Sequence, residues 1–147
     1  MTAVRHAEAT WEGDLVSGKG KVSAISSGAF RDLPVTWGSR TEAPDGRTSP
    51  EELIAAAHAS CFEMALSGAL ARGGTPPEHL AVSATVTFDK LEPGWRIVSS
   101  ALTVVGRVPG IDEAGFRAAA EATRDGCPVS VALTGNVELS VEASLER

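Results

Sequence analysis

Hydrophobic and polar positions change period several times along the chain, and each change predicts an element. In "LAVSATVTFDK" the residues Val82, Ala84, Val86 and Phe88 fall on one face at period two, as in a half-buried strand. The turn "LEPGW" then leads into "RIVSSALTVVGRV", so the two runs read as a hairpin. Residues 50–70, "PEELIAAAHASCFEMALSGAL", behave differently, being apolar on almost every side of a helix. The only consistently polar stripe there is narrow and runs through Ser60, Glu63 and Ser67, which predicts a central helix largely covered by sheet or by a second helix. Its start is strongly encoded: Thr48 or Ser49 can cap it, Pro50 suits the first position, and Glu51 and Glu52 favour the positive end of the dipole. In "GIDEAGFRAAAEATRDG" Asp112 is an N-cap candidate, Glu113 suits the first turn and Gly126 provides a stop. "CPVSVALTG" predicts a short helix with Pro128 at its first position, and "NVELSVEASLE" a last alternating strand. Upstream, "HAEATWEGDL", "GKVSAISSGAF" and "LPVTWGSR" have strand-like composition separated by glycine-bearing turns, which predicts an antiparallel meander. The expected order is βββ, α, ββ, α, short α, β, an α+β class.

At 147 residues, one domain spanning 1–147 can bury roughly 68 to 70% of its unfolded surface, so no covalent staple is needed. No repeat or linker interrupts it; the Pro/Gly-rich patches "EAPDGRTSP" and "RGGTPPEHL" bracket the central helix. A formal charge of −6 and a pI near 5.0 argue against a phosphate-binding surface, so no nucleic-acid partner is expected. The N-terminus lacks an apolar signal core, and His58, Ser60 and Glu63 interrupt the greasiest stretch, so neither secretion nor a membrane span is expected. The expected location is the cytoplasm. In a reducing compartment, Cys61 and Cys127 read as a transient redox pair or as two inert core thiols.

Cys61 lies midway along the apolar helix, where a buried thiol would have its pKa raised by desolvation. It is too far from the helix N-terminus to use the dipole, so a thiolate there needs an external cation. Lys19, Arg40 and Arg47 precede the helix, and a fixed guanidinium suits the task better than an ammonium. Cys127, in "DGCPVS", is placed at a helix start, where exposed N–H groups favour a reactive, accessible thiolate; the alternative is a plain turn-to-helix junction.

Five segments together resemble the OsmC/Ohr family of thiol peroxidases, on the OsmC side: "TSPEELIAAAHASCFEMALS", "GCPVSVAL", "ATWEGDL", "GKGKVS" and "VPGID", in the family's order. The resemblance covers nearly the whole length. It implies an OsmC-like α+β fold, an antiparallel β-sheet wrapped around a long central helix, in an intertwined homodimer with two active sites. It also implies reduction of hydroperoxides, organic ones in preference to hydrogen peroxide. Carried over, Cys61 is the peroxidatic cysteine, Cys127 the resolving one, Arg40 the thiolate-activating arginine and Glu51 the carboxylate that orients it. Two departures bear on the arginine: the segment before the helix carries one extra residue with a second arginine, Arg47, and Ser49 stands where the family usually has Asn.

A sulfenic acid at Cys61 would condense with Cys127 into a disulfide, which requires the two Cα atoms to come within roughly 7 Å. An external dithiol, lipoyl-type in the family, would reopen it; no bound cofactor or metal is implied. In a continuous helix Glu51 lies about 15 Å along the axis from Cys61, which predicts that Glu51 acts from the partner subunit. Ile54, Phe62 and Met64 are candidate lining for an apolar substrate pocket. Two rival readings are a metal site built on His58, Cys61 and Cys127, against which His58 packs or hydrogen-bonds, and a non-catalytic stress or apolar-ligand-binding protein with inert thiols. Trp11, Trp37 and Trp95 read as packing, and His6 and His79 as surface residues.

Overall fold

A computed structural model describes residues 1–146, which divide into two compact units, the first ending at Pro50 and the second beginning at Glu51. In the first unit, β1 (Ala7–Glu12), β2 (Lys19–Ala24) and β3 (Leu33–Val35) form an antiparallel sheet in chain order. Its register sets Trp11 opposite Gly20. A Cβ at Gly20 would stand 2.6 Å from the Trp11 ring, so only glycine admits that indole. Pro34 sits in the edge strand β3, where its missing N–H is tolerated.

The expected third strand is much shorter than "LPVTWGSR". It stops at Val35, and Trp37–Thr41 form a five-residue helix, α1. The cause is a reciprocal cap: Thr36 Oγ1 accepts from the Ser39 N–H at 3.0 Å, and Ser39 Oγ from the Thr36 N–H at 3.1 Å. Ser39 Oγ also donates to the carbonyl of Thr48 at 2.9 Å, which draws the following loop back beside α1.

The long helix α2 (Pro50–Arg72) is unbroken over 23 residues. It is followed by the hairpin of β4 (His79–Leu91) and β5 (Gly94–Arg107), with Leu91 opposite Gly94 as the turn "LEPGW" predicts. Next come α3 (Glu113–Gly126), α4 (Pro128–Leu133) and β6 (Glu138–Leu145). Asp112 caps α3, its carboxylate accepting from the Gly115 N–H at 2.7 Å. In the second sheet the order is β4-β5-β6, and β6 runs parallel to β5. Parallel neighbours need a long crossover, and α3 with α4 supplies it.

The core of this unit joins Phe62, Leu66 and Leu70 of α2 to Leu102 and Val104 of β5 and to Phe116 and Ala120 of α3. Full burial of a side chain such as Phe62 or Leu66 contributes roughly 1.5 to 3 kcal/mol. Gly106 of β5 lets the Phe116 ring approach, since a Cβ there would meet it at 2.6 Å. The expectation that most of α2 is covered is not met. Burial is confined to Glu51 and the i, i+4 row His58, Phe62, Leu66, Leu70, while Ala56, Ala57, Ser60 and Glu63 are exposed and Met64 is 67% exposed. One sheet and one helix offer a single packing layer, and an all-round apolar helix keeps its other faces open against it. By length and composition alone α2 could cross a membrane, although its buried row belongs to the protein core and His58 and Glu63 fall in its middle.

Candidate active site

The break between α3 and α4 is made by two residues. Pro128 cannot continue α3 and holds Cys127 in an extended conformation, φ −66° and ψ 144°. Gly126, expected as the stop, has no positive φ, so the stop lies in the Cys–Pro pair. Cys127 closes one helix and opens the next: its N–H donates to the Thr123 carbonyl at 2.9 Å, and its Sγ accepts from the Ser130 N–H at 3.4 Å.

That double role seats Cys127 inside the core, 1% exposed, where the sequence suggested an accessible thiol. Cys61, expected to be the buried one, is half-buried and packs against the same cluster. Its thiol is pushed above the ordinary cysteine value, first by burial and further by the neighbouring Cys127 thiol, while the Val129 N–H of α4 works in the opposite sense. The two thiols, 66 positions apart in the chain, are therefore brought into one core cluster within the second unit, and both are free. Cys61 has an N–H donor from the start of α4, but the sum of its surroundings favours the neutral thiol.

Beneath Cys127 lies a buried polar chain. Cys127 Sγ donates to Ser130 Oγ at 3.1 Å, Ser130 Oγ is 2.8 Å from His58 Nε2, and His58 Nδ1 is 2.6 Å from Ser100 Oγ. His58, Ser100 and Ser130 have no exposed surface. Burial holds the His58 imidazole below its ordinary pKa, so it is neutral at neutral pH. Ser100 and Ser130 had no signal in the sequence, because their partner His58 is 42 and 72 positions away. With both ring nitrogens engaged by hydroxyls, His58 does not present itself as a metal ligand, and the described residues contain no cluster of three or more His, Cys, Asp or Glu able to hold a metal.

Arg40 lies on α1, half-buried, with its guanidinium 5.7 Å from the Trp37 ring centroid. It lines a largely apolar cleft of about 350 Å³ with Trp11, Leu15, Val35, Trp37 and Pro50. Arg47 is on an exposed turn and pairs with Asp45 at 3.3 Å, and Lys19 is exposed at the start of β2. Glu51 is buried in the first turn of α2, ten positions before Cys61 on a continuous helix. Ile54 is half-buried, and Met64 borders a shallow groove with Glu63, Ser67, Pro77 and His79. Phe62, expected as pocket lining, is instead wholly enclosed in the core, because it continues the buried i, i+4 row of α2.

The profile of the OsmC-like protein family matches residues 43–142. The chain is 41% identical over 142 residues to peroxiredoxin OsmC of Escherichia coli, covering 97% of this chain and 98% of that protein. It is 26% identical over 128 residues to the organic hydroperoxide resistance protein OhrA of Bacillus subtilis, covering 86% and 88%. Among solved structures, the organic hydroperoxide resistance protein OhrB of B. subtilis superposes with a TM-score of 0.74 at 25% identity, covering 95% of this chain and 98% of that one.

Proposed function

The chain belongs to the OsmC-like protein family, and on that basis we propose that it is a thiol-dependent peroxidase that reduces organic hydroperoxides to alcohols, and hydrogen peroxide less efficiently. The observation that carries the reading is the packing of its only two cysteines into one core cluster, reached across 66 positions of chain. Two inert core thiols have no need to meet. Names given to relatives, peroxiredoxin and organic hydroperoxide resistance protein, support the same chemistry.

In this reading the Cys61 thiolate attacks the terminal peroxide oxygen, the O–O bond breaks, and the alkoxide takes a proton and leaves as alcohol. The Cys61 sulfenic acid is then attacked by Cys127, giving a disulfide and water. An external dithiol, lipoyl-type or another thiol reductant, reopens the disulfide in two exchange steps. Since its own chain surroundings raise the Cys61 pKa, the thiolate needs a cation, and Arg40 is the proposed source. Arg47 is the weaker candidate because it is spent on an exposed pair with Asp45. Glu51 is the proposed orienting carboxylate and acts from the partner subunit, since a continuous α2 sets it about 15 Å along the axis from its own chain's Cys61.

The protein works as a homodimer in this reading, within the cytoplasm and as one functional domain. The support for a second copy is the uncovered apolar face of α2, with Met64 67% exposed, together with Val131 of α4, 59% exposed. Dithiol-dependent consumption of cumene hydroperoxide and hydrogen peroxide tests the activity. Wild type should turn over the organic peroxide faster, Cys61→Ser should be inactive, and Cys127→Ser should accumulate a sulfenic acid. No turnover of either peroxide with lipoyl or monothiol reductants would leave the fold with a different task.

A further inference from the structure

Nothing in the two-cysteine scheme says where the Cys127 proton goes. Cys127 is 1% exposed, so bulk water and buffer bases do not reach it easily. A thiol must become a thiolate to attack, and in a buried site that needs a local acceptor. The only polar groups of the described residues hydrogen-bonded onward from its Sγ form the chain Cys127, Ser130, His58, Ser100.

The directions of these bonds follow from counting protons. The Cys127 thiol donates to Ser130 Oγ, which leaves the single Ser130 hydroxyl proton free for His58 Nε2. Nε2 is then an acceptor, and Nδ1–H donates to Ser100 Oγ. The Cys127 end of the chain thereby sets the tautomer that turns the basic nitrogen toward the cysteine, and the Ser100 hydroxyl accepts the Nδ1 proton.

We propose that His58 is the proton acceptor for Cys127, working through the Ser130 hydroxyl, when Cys127 closes the disulfide on Cys61. The inference rests on the peroxidase reading above and adds a positioning dyad to it. As the Cys127 sulfur approaches Cys61, its proton passes to Ser130 Oγ while the Ser130 proton passes to His58 Nε2. The new S–S bond forms, the S–O bond of the sulfenic acid breaks, and the hydroxide takes up one proton to leave as water. The thiol proton held on His58 balances that uptake, so thiol plus sulfenic acid gives disulfide plus water with no other reactant. Burial favours neutral imidazole, so the proton is held only for the duration of the step.

His58→Gln tests this directly, because the amide can hydrogen-bond both serines but cannot take up a proton. The experiment is a single turnover of the full chain with cumene hydroperoxide. One readout follows peroxide loss at Cys61, and the other follows disappearance of dimedone-trappable sulfenic acid as the disulfide appears. The expected result is disulfide closure slowed about 100-fold, the low end of general-base contributions, with peroxide loss at the wild-type rate and the melting temperature retained. Ser130→Ala should slow the same step comparably, and it decides the matter if His58→Gln fails to fold. Closure at the wild-type rate in the folded variant would overturn the proposal, as would equal slowing of both steps, which is the mark of a purely structural histidine. If wild type itself forms no Cys61–Cys127 disulfide, the peroxidase reading fails, and that outcome is distinct from failure of the relay alone.

Discussion

Cys127 sits beside Cys61 in one core cluster, at the point where Pro128 forces α3 to end and α4 to begin. The chain break and the thiol placement are one device. Without the proline, Cys127 could adopt helical geometry and its Sγ would leave the N-cap position. Pro128→Ala is therefore expected to keep the fold while slowing peroxide-driven disulfide closure about tenfold, read by quenched non-reducing mass spectrometry. An unchanged rate would mean that the junction does not set the thiol geometry.

Burial and the neighbouring thiol both favour a protonated Cys61, so its reactivity depends on a cation from elsewhere. In Arg40→Ala, alkylation of Cys61 by iodoacetamide at pH 7 should fall about tenfold or more, with its pH midpoint moving above the ordinary thiol value of about 8.5. Arg47→Ala should leave the alkylation rate near wild type. The reverse pattern would move the activating role to Arg47.

The fully buried Phe62 and the exposed Met64 stand two positions apart on α2, yet they answer to different partners. Phe62→Ala should cost about 3 to 5 kcal/mol of unfolding free energy through lost burial and a cavity, measurable by denaturant titration. Met64→Glu should leave each chain folded but weaken association, seen by sedimentation as a shift toward the single-chain mass. A dimer undisturbed by Met64→Glu would place the contact on another face.

Stability should fall with acid through His58. Its folded pKa lies below the ordinary value because protonation would put charge in a buried site. The unfolded chain therefore binds the extra proton first, below about pH 6.5, and the contribution present at neutral pH is lost as the pH falls further. Urea midpoints at pH 7.5 and pH 5 should differ less in His58→Gln than in wild type. Equal acid sensitivity in both would assign the loss to other groups.

Much of this architecture is legible in the sequence because it is local. Asp112, Pro50, the "LEPGW" turn and the Cys–Pro junction each act through neighbours within a few positions. Helix α1 is not, since its five residues lie against Val35 and include Trp37, both strand formers, and only the Thr36 and Ser39 reciprocal cap betrays it. The alternation of β6 shows a strand but carries no direction, so its parallel pairing with β5 comes only from the crossover. The relative exposure of the two thiols was also hidden. It depends on which row of α2 meets the sheet, and a helix apolar all round does not declare that row. The serines about His58 are an arrangement of three distant elements, visible only once these are folded together.

The most direct test of the central claim is peptide mapping after one equivalent of cumene hydroperoxide is added to reduced protein, without reductant and under non-reducing digestion. The expected product is a single disulfide joining the Cys61 and Cys127 peptides of the same chain, formed within the turnover and reversed by a dithiol. Peroxide consumption with Cys61 driven to sulfinic acid while Cys127 stays a free thiol would contradict it.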